Sequence, residues 1–284
     1  MGLHSGKYSV INGVPTSRLW TISDKTAQPK GVASNTRLGT LRRRGVNSWE
    51  GSYRAYGGQP AVMPGELFNF VGYGSPTNDV AGAAGLRYSG DAVVRSVAVT
   101  WDWRTGAIIG HTVQFVGSLE LVQASGADPG DAVVPDAPET TGTKFQYSPG
   151  NTNTFVDIAN LTQGTLTVTA AVHTFVNSST YVNGRAWTGA RGGPIDWTLS
   201  AGQEDEDRLT GIFAKDDVVE LKLFVSSTAF WKLTHGIVGD FSGITINRET
   251  GEIMSRTLNV AMNGYYGSTL GSIILPDTTT WWPF

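Results

Sequence analysis

The chain has 284 residues, of which 40% are hydrophobic and only 16% charged, with a formal net charge of −3 and no cysteine. That length allows two domains of roughly 120–140 residues, each able to bury a core. The missing cysteine excludes disulfides, thiol catalysis and zinc–thiolate sites, and fits a protein made in a reducing cytoplasm.

The N-terminal MGLHSGKYSV lacks an apolar h-region and a cleavage site, which predicts no secretory signal. It also misses the myristoylation pattern, because Gly6 follows Ser5. No run approaches the ~18 apolar residues of a membrane helix, so the expectation is a protein that is soluble and cytosolic when made. With 36 Gly and abundant Thr, Ser and Val, strands joined by Gly-rich turns are the economical reading.

In chain order, a first strand is predicted over 18–23, and Arg42-Arg43-Arg44 follows as a basic cluster. Gly45-Val-Asn-Ser-Trp49 then leads into a strand over 48–56. The run 66–73 reads as a strand, although PGELFNFV (64–71) also suits a short helix. Strands over 92–102 and 107–116 flank Thr105-Gly106, where a hairpin turn needs a residue tolerant of positive φ. Another strand is predicted over 120–124. The segment 125–143 is rich in Ala, Pro and Gly, carries acids but no base, and reads as an exposed linker or long loop.

The second half repeats these landmarks. Strands are predicted over 154–158 and 163–175, and Gly193-Pro-Ile-Asp-Trp197 leads into one over 195–201. The acidic cluster Glu204-Asp205-Glu206-Asp207 opens DEDRLTGIFA (205–214), which suits a short helix. Strands over 217–226, 242–248 and 253–262 follow, the last two flanking Thr250-Gly251. The Thr-Gly turns lie 145 residues apart (105 to 250) and the Gly-x-x-x-Trp tryptophans 148 apart (49 to 197). Two landmarks in the same order at nearly one spacing point to a tandem duplication of a whole small domain. The expected organisation is therefore a β domain over 1–124, a linker over 125–143 and a second β domain over 144–284. The chain closes on an aromatic WWPF tail, too apolar to hang free in water.

No motif carries chemistry. The four histidines (His4, His111, His173, His235) are dispersed and lack acids at metal-ligand spacing, and nucleophile-elbow and phosphate-loop signatures are missing. No catalytic, cofactor or metal residue is expected, and the chain does not read as an enzyme. Arg42–Arg44 could bind phosphate, and Glu204–Asp207 calcium, although the latter lacks the spaced Asp-x-Asp-x-Asp-Gly order. Solvated loops account equally well for both clusters. A third reading is that Arg42, Arg43 and Arg44 meet Glu204, Asp205, Glu206 and Asp207 across a subunit contact. The first half is net basic and the remainder net acidic, which would favour head-to-tail attraction. Nine Trp would suit a sugar-binding platform, but Trp101 and Trp103 map onto Ile246 and Arg248 in the second copy, so the pair is not repeated.

The strand, R-x-T-G-x-I hairpin and strand of Arg104–Ser118 and Arg248–Gly264 resemble the C-terminal hairpin of tail tube proteins from long-tailed bacteriophages. Gly45–Tyr53 and Gly193–Ser200 are similar to the middle of the same domain. The resemblance covers about half of each copy, and the duplication departs from the family's common single-domain form. It implies an all-β fold: two homologous β-sandwich domains whose strands contribute to an inter-subunit β-barrel. It further implies a structural virion protein of the tail, the major tail tube subunit. Three chains would act as a pseudo-hexamer, and their stacked rings would form the conduit for genome ejection. The implied partners are the chain itself and tail proteins such as the tape measure, terminator and distal tail proteins. Double-stranded DNA would pass without specific binding, and no membrane is involved. The implied location is the virion tail, with assembly in the host cytoplasm. A lumen for sliding DNA should carry acids and neutral polar groups, which would place Arg42–Arg44 at a ring interface or outside. Capsid decoration, a distal tail role and a tandem carbohydrate-binding β-sandwich are the alternatives.

Overall fold

The computed structural model describes residues 10–11, 17–27, 30–31, 41–42, 45–73, 86–125, 139–150, 152–205, 214–239, 242–245, 254–264 and 273–274. In the first half the strands are β1 (Val10–Ile11), β2 (Ser17–Thr26), β3 (Lys30–Gly31), β4 (Leu41–Arg42), β5 (Asn47–Tyr56), β6 (Leu67–Tyr73), β7 (Leu86–Asp102) and β8 (Gly110–Ser125). The second half contains β9 (Phe145–Pro149), β10 (Val156–Asp157), β11 (Leu161–Phe175), β12 (Tyr181–Val182), β13 (Arg185–Ala186) and β14 (Gly189–Asp205). It continues with β15 (Val218–Phe224), β16 (Phe230–Val238), β17 (Ser242–Thr245), β18 (Met254–Met262) and β19 (Ile273–Ile274).

Among the described residues there is no α-helix, and a single 3-10 turn at Ser178–Thr180 is capped by the Asn177 side chain. The fold is all-β. The helix considered over 64–71 does not form, because Leu67–Tyr73 pairs residue for residue with β7, from Leu67 opposite Val93 to Tyr73 opposite Arg87. Of the helix considered over 205–214, Asp205 is strand and Ala214 is irregular, and the rest lies outside the described residues.

Fifteen strands join into one antiparallel sheet whose main path runs β10-β9-β15-β16-β18-β14-β11-β7-β8-β5-β2. Within it the two halves use the same order. In the first, β2 pairs β5, β5 pairs β8, β8 pairs β7, β7 pairs β6 and β6 pairs β1. In the second, β11 pairs β14, β14 pairs β18, β18 pairs both β16 and β17, β16 pairs β15 and β15 pairs β9. The single long β7 is thus matched by two pieces, β16 and β17.

Register repeats as well. Glu50 faces Val116 and Ala55 faces His111; at the matching positions Thr198 faces Ala261 and Gln203 faces Arg256. On the other side of the same strands, Ile22 faces Gly51 and Asp24 faces Trp49, while Leu166 faces Leu199 and Val168 faces Trp197. Because side chains alternate with period two, one residue of slip would turn every core group outward, so matching registers put matching positions inside.

Trp49 and Trp197 sit at equivalent core positions, 1% and 0% exposed. Each indole packs closely against a glycine, Trp49 with its ring face over Gly117 of the adjoining β8 and Trp197 with the tip of its six-membered ring at Gly236 of β16. A Cβ on Gly117 would fall 2.2 Å from the Trp49 ring, and one on Gly236 would fall 2.7 Å from that of Trp197. The main apolar cluster is continuous across both halves, running from Phe70 and Phe115 through Trp101 and Phe145 to Leu221 and Trp231.

Candidate functional site

The feature that organises this molecule is the joint between its halves. At 17 residues, β7 is long enough to take two partners along one side. Leu86-side residues pair with β6, and Ser96 to Asp102 pair with β11 from Thr169 to Gln163. Thr100 faces Thr165, Val99 faces Leu166 and Val97 faces Val168. Val97, Val99, Leu166 and Val168 are all fully buried, so the joint is a continuous sheet with an apolar face. β-Branched pairs of this kind are the ordinary unit of sheet stabilisation.

Indole and backbone bonds reinforce the joint. Trp101 Nε1 donates to the Phe224 carbonyl (2.9 Å), Trp103 Nε1 to that of Thr143 (3.1 Å) and Trp231 Nε1 to that of Gly58 (2.8 Å). Phe145 stands edge-on to both Trp101 and Trp103, with centroids 5.0 and 4.9 Å away. A second seam lies beside β5, where the Thr188 N–H donates to the Asn47 carbonyl and the Leu119 N–H to that of Thr188, both at 2.9 Å. A cavity of about 500 Å³ opens there, lined by Thr26, Val46, Asn47, Tyr181 and Arg185 among others.

The first hairpin turn is built as the sequence suggests at Thr105-Gly106. The Asp102 carboxylate accepts from the Thr105 N–H (3.2 Å) and Oγ1 (2.8 Å), and Gly106 takes φ +63°. The Thr105 hydroxyl bond, chiefly, holds the Asp102 carboxyl below its ordinary range. Thr250 and Gly251 lie outside the described residues.

Of the acidic cluster, Glu204 forms an ion pair with Arg104, so its partner stands in the same chain and spans the joint. Asp205 ends β14 opposite Met254, whereas Glu206 and Asp207 lie outside the described residues. Arg42 pairs Lys30 in the β3–β4 ribbon, and Arg43 and Arg44 lie outside the described residues. Among the described residues no group of three or more His, Asp or Glu side chains could hold a metal ion. None of the described helices is long and apolar enough to cross a membrane.

The described tryptophans are core residues rather than a platform. Trp49, Trp101, Trp187, Trp197 and Trp231 are buried, and Trp20 and Trp103 are partly buried against the core. Trp281 and Trp282 lie outside the described residues. The end of the expected linker is packed: Thr140 is fully buried, and its N–H donates to the Ala107 carbonyl (3.1 Å).

His111 is 4% exposed, and its Nδ1 lies 2.7 Å from the Gly57 carbonyl, which requires the proton on Nδ1. Burial lowers its pKa from the ordinary 6.5. Its counterpart Arg256 is 7% exposed and donates through Nε to Gln203 Oε1 (3.0 Å). Each repeat thus buries one basic side chain at the same position. The His111/Arg256 alignment is visible in the sequence, but the burial is not.

No protein-family model matches the chain, and a search of curated proteins finds no match.

Proposed function

We propose that this chain is a structural, non-catalytic subunit that builds a ring and then a tube with copies of itself: the major tail tube subunit of a long-tailed bacteriophage, in a form carrying two tube domains. The observation that carries this reading is the repeated strand order and register, with the two repeats joined edge to edge in one sheet. A repeat that seats its like through strand pairing is suited to serial association, and closing such a sheet removes edges that would otherwise invite aggregation. Three chains supply six repeats. Their stacked rings would enclose a lumen for genome DNA, capped by terminator and distal tail proteins and spaced by a tape measure protein. The low charge of the chain suits surfaces buried between rings.

Negative-stain electron microscopy with light scattering on the same sample tests the proposal. Rings with a central hole and the mass of three chains, or tubes, are expected. A compact monomer that neither forms rings nor adds to tubes nucleated by a tail tip would overturn it.

A further inference from the structure

We propose that the outer edge of β2 in one chain pairs antiparallel with the outer edge of β17 in the next, reproducing between chains the β7–β11 joint seen within one. The partner is a second copy of this chain. This rests on the proposal that the chain assembles with itself, and adds which edges meet and in which register.

β2 is the counterpart of β11, because both pair with the Trp-bearing strand of their repeat in the same register. Likewise β17 is the counterpart of the second half of β7: Thr245 faces Ser255 in the second hairpin, as Thr100 faces Gly110 in the first. In the first repeat that half of β7 is covered by β11. Among the described residues β17 pairs only with β18, and β2 only with β5. The chain thus presents both halves of its own internal joint, one at each end of the repeat series.

The chemistry is preserved at the positions that would meet. Internally Thr100 faces Thr165 and Val99 faces Leu166. Transferring the register puts Thr245 opposite Thr21 and Ile244 opposite Ile22, so a Thr–Thr pair and an aliphatic pair recur. The register of β17 against β18 shifts by one residue between Ser242 and Thr245, so Thr245 anchors the register and Ile244 is placed by counting back one residue from it. The β2 edge is lightly protected, with one register shift near its start between Ser17 and Leu19. It runs ten residues without proline, its lysine (Lys25) is neutralised by Glu50, and Leu19 is 49% exposed. Beyond that shift the edge from Leu19 to Thr26 pairs with β5 in unbroken register, and its outer side is a template for another strand.

The absence of native cysteine makes the test direct. Directly opposed residues place Cβ atoms about 4.5–5.5 Å apart, and of two successive pairs one is non-hydrogen-bonded and closer. Thr21→Cys chains are mixed with Thr245→Cys chains, and Ile22→Cys chains with Ile244→Cys chains, then oxidised mildly. Thr100→Cys/Thr165→Cys and Val99→Cys/Leu166→Cys, each within one chain, serve as controls for the internal joint. We expect at least one mixture to shift to twice the chain mass on non-reducing gels, with loss of the shift on reduction. Single variants alone should stay at the chain mass. Failure of both mixtures while a control closes overturns the inference, whether the sample is monomeric or assembled. Rings that lack the crosslink would keep the ring and remove this joint. Crosslinked open ladders without rings would keep the joint and remove the closed tube.

Discussion

Gly117→Ala gives a sharp test of how the repeat core is packed. The new methyl carbon would lie 2.2 Å from Cε2 and Nε1 of Trp49 and 2.3 Å from Cδ2. Ordinary carbon contacts begin near 3.5 Å, so the indole must retreat by about 1 Å or more. It has little room to do so. Its Nε1 donates to the Leu119 carbonyl (3.1 Å), Phe70 and Phe115 stand 6.0 Å away by centroid, and a Cβ at Gly90 would already meet the ring at 2.8 Å. Overpacking costs about 1–3 kcal/mol, and losing the indole bond adds about 1 kcal/mol. Replacing glycine in a strand returns about 0.5–1 kcal/mol of chain entropy, leaving a net loss of about 1–3.5 kcal/mol. For a chain of this size that lowers Tm by about 2–14 °C, read by calorimetry. Pairing Gly117→Ala with Trp49→Leu should recover part of the loss. A single variant melting within 2 °C of the parent would refute the flat stacking of indole on glycine.

Three further outcomes are expected. His111 resists protonation when folded, so the unfolded chain binds the extra proton; its contribution is complete above about pH 6.5 and is lost as pH falls below that value. Urea midpoints from pH 8 to 5 should fall less steeply for His111→Gln than for the parent, and parallel curves would contradict this. Glu204→Gln removes the ion pair with Arg104, but the Arg104 side chain is 59% exposed, so the loss should stay below about 1 kcal/mol and shrink in high salt. Trp231→Phe strips the buried Gly58 carbonyl of its donor and leaves unfilled volume; about 2–4 kcal/mol should be lost in urea unfolding, and a change below about 1 kcal/mol would show that this tie between the halves is weak.

The parts of the fold legible in the sequence are those with strict alternation. In β5, Trp49, Tyr53 and Ala55 point inward between polar neighbours, and the expected strand over 48–56 matches Asn47–Tyr56 closely. The segment 163–175 is equally plain, and β11 begins only two residues earlier. By contrast β16 escaped notice because it is covered on both faces: Thr234, His235 and Gly236 are buried in succession, erasing the period of two. His235 also takes φ +56°, which breaks the strand's regularity where pattern reading needs it most. The five-residue β9 ends in Pro149, a residue that argues against a strand unless it lies near an edge. Local pattern could not reveal the joint, because nothing in residues 96–102 or 163–169 says which of several apolar strands will be neighbours. The ion pair of Glu204 with Arg104 was hidden likewise, since it depends on that joint bringing the first hairpin turn beside β14.

The β7–β11 joint has a consequence for mass action. Its two strands belong to one polypeptide, so they meet at an effective concentration fixed by the connecting segment, and dilution does not part them. A contact of the same chemistry made between separate chains would obey protein concentration instead. An assembly of such chains therefore has two kinds of seam, one permanent and one reversible, in strict alternation. Any closed ring must contain an even number of repeats, and only every second seam is open to dissociation or control by a partner.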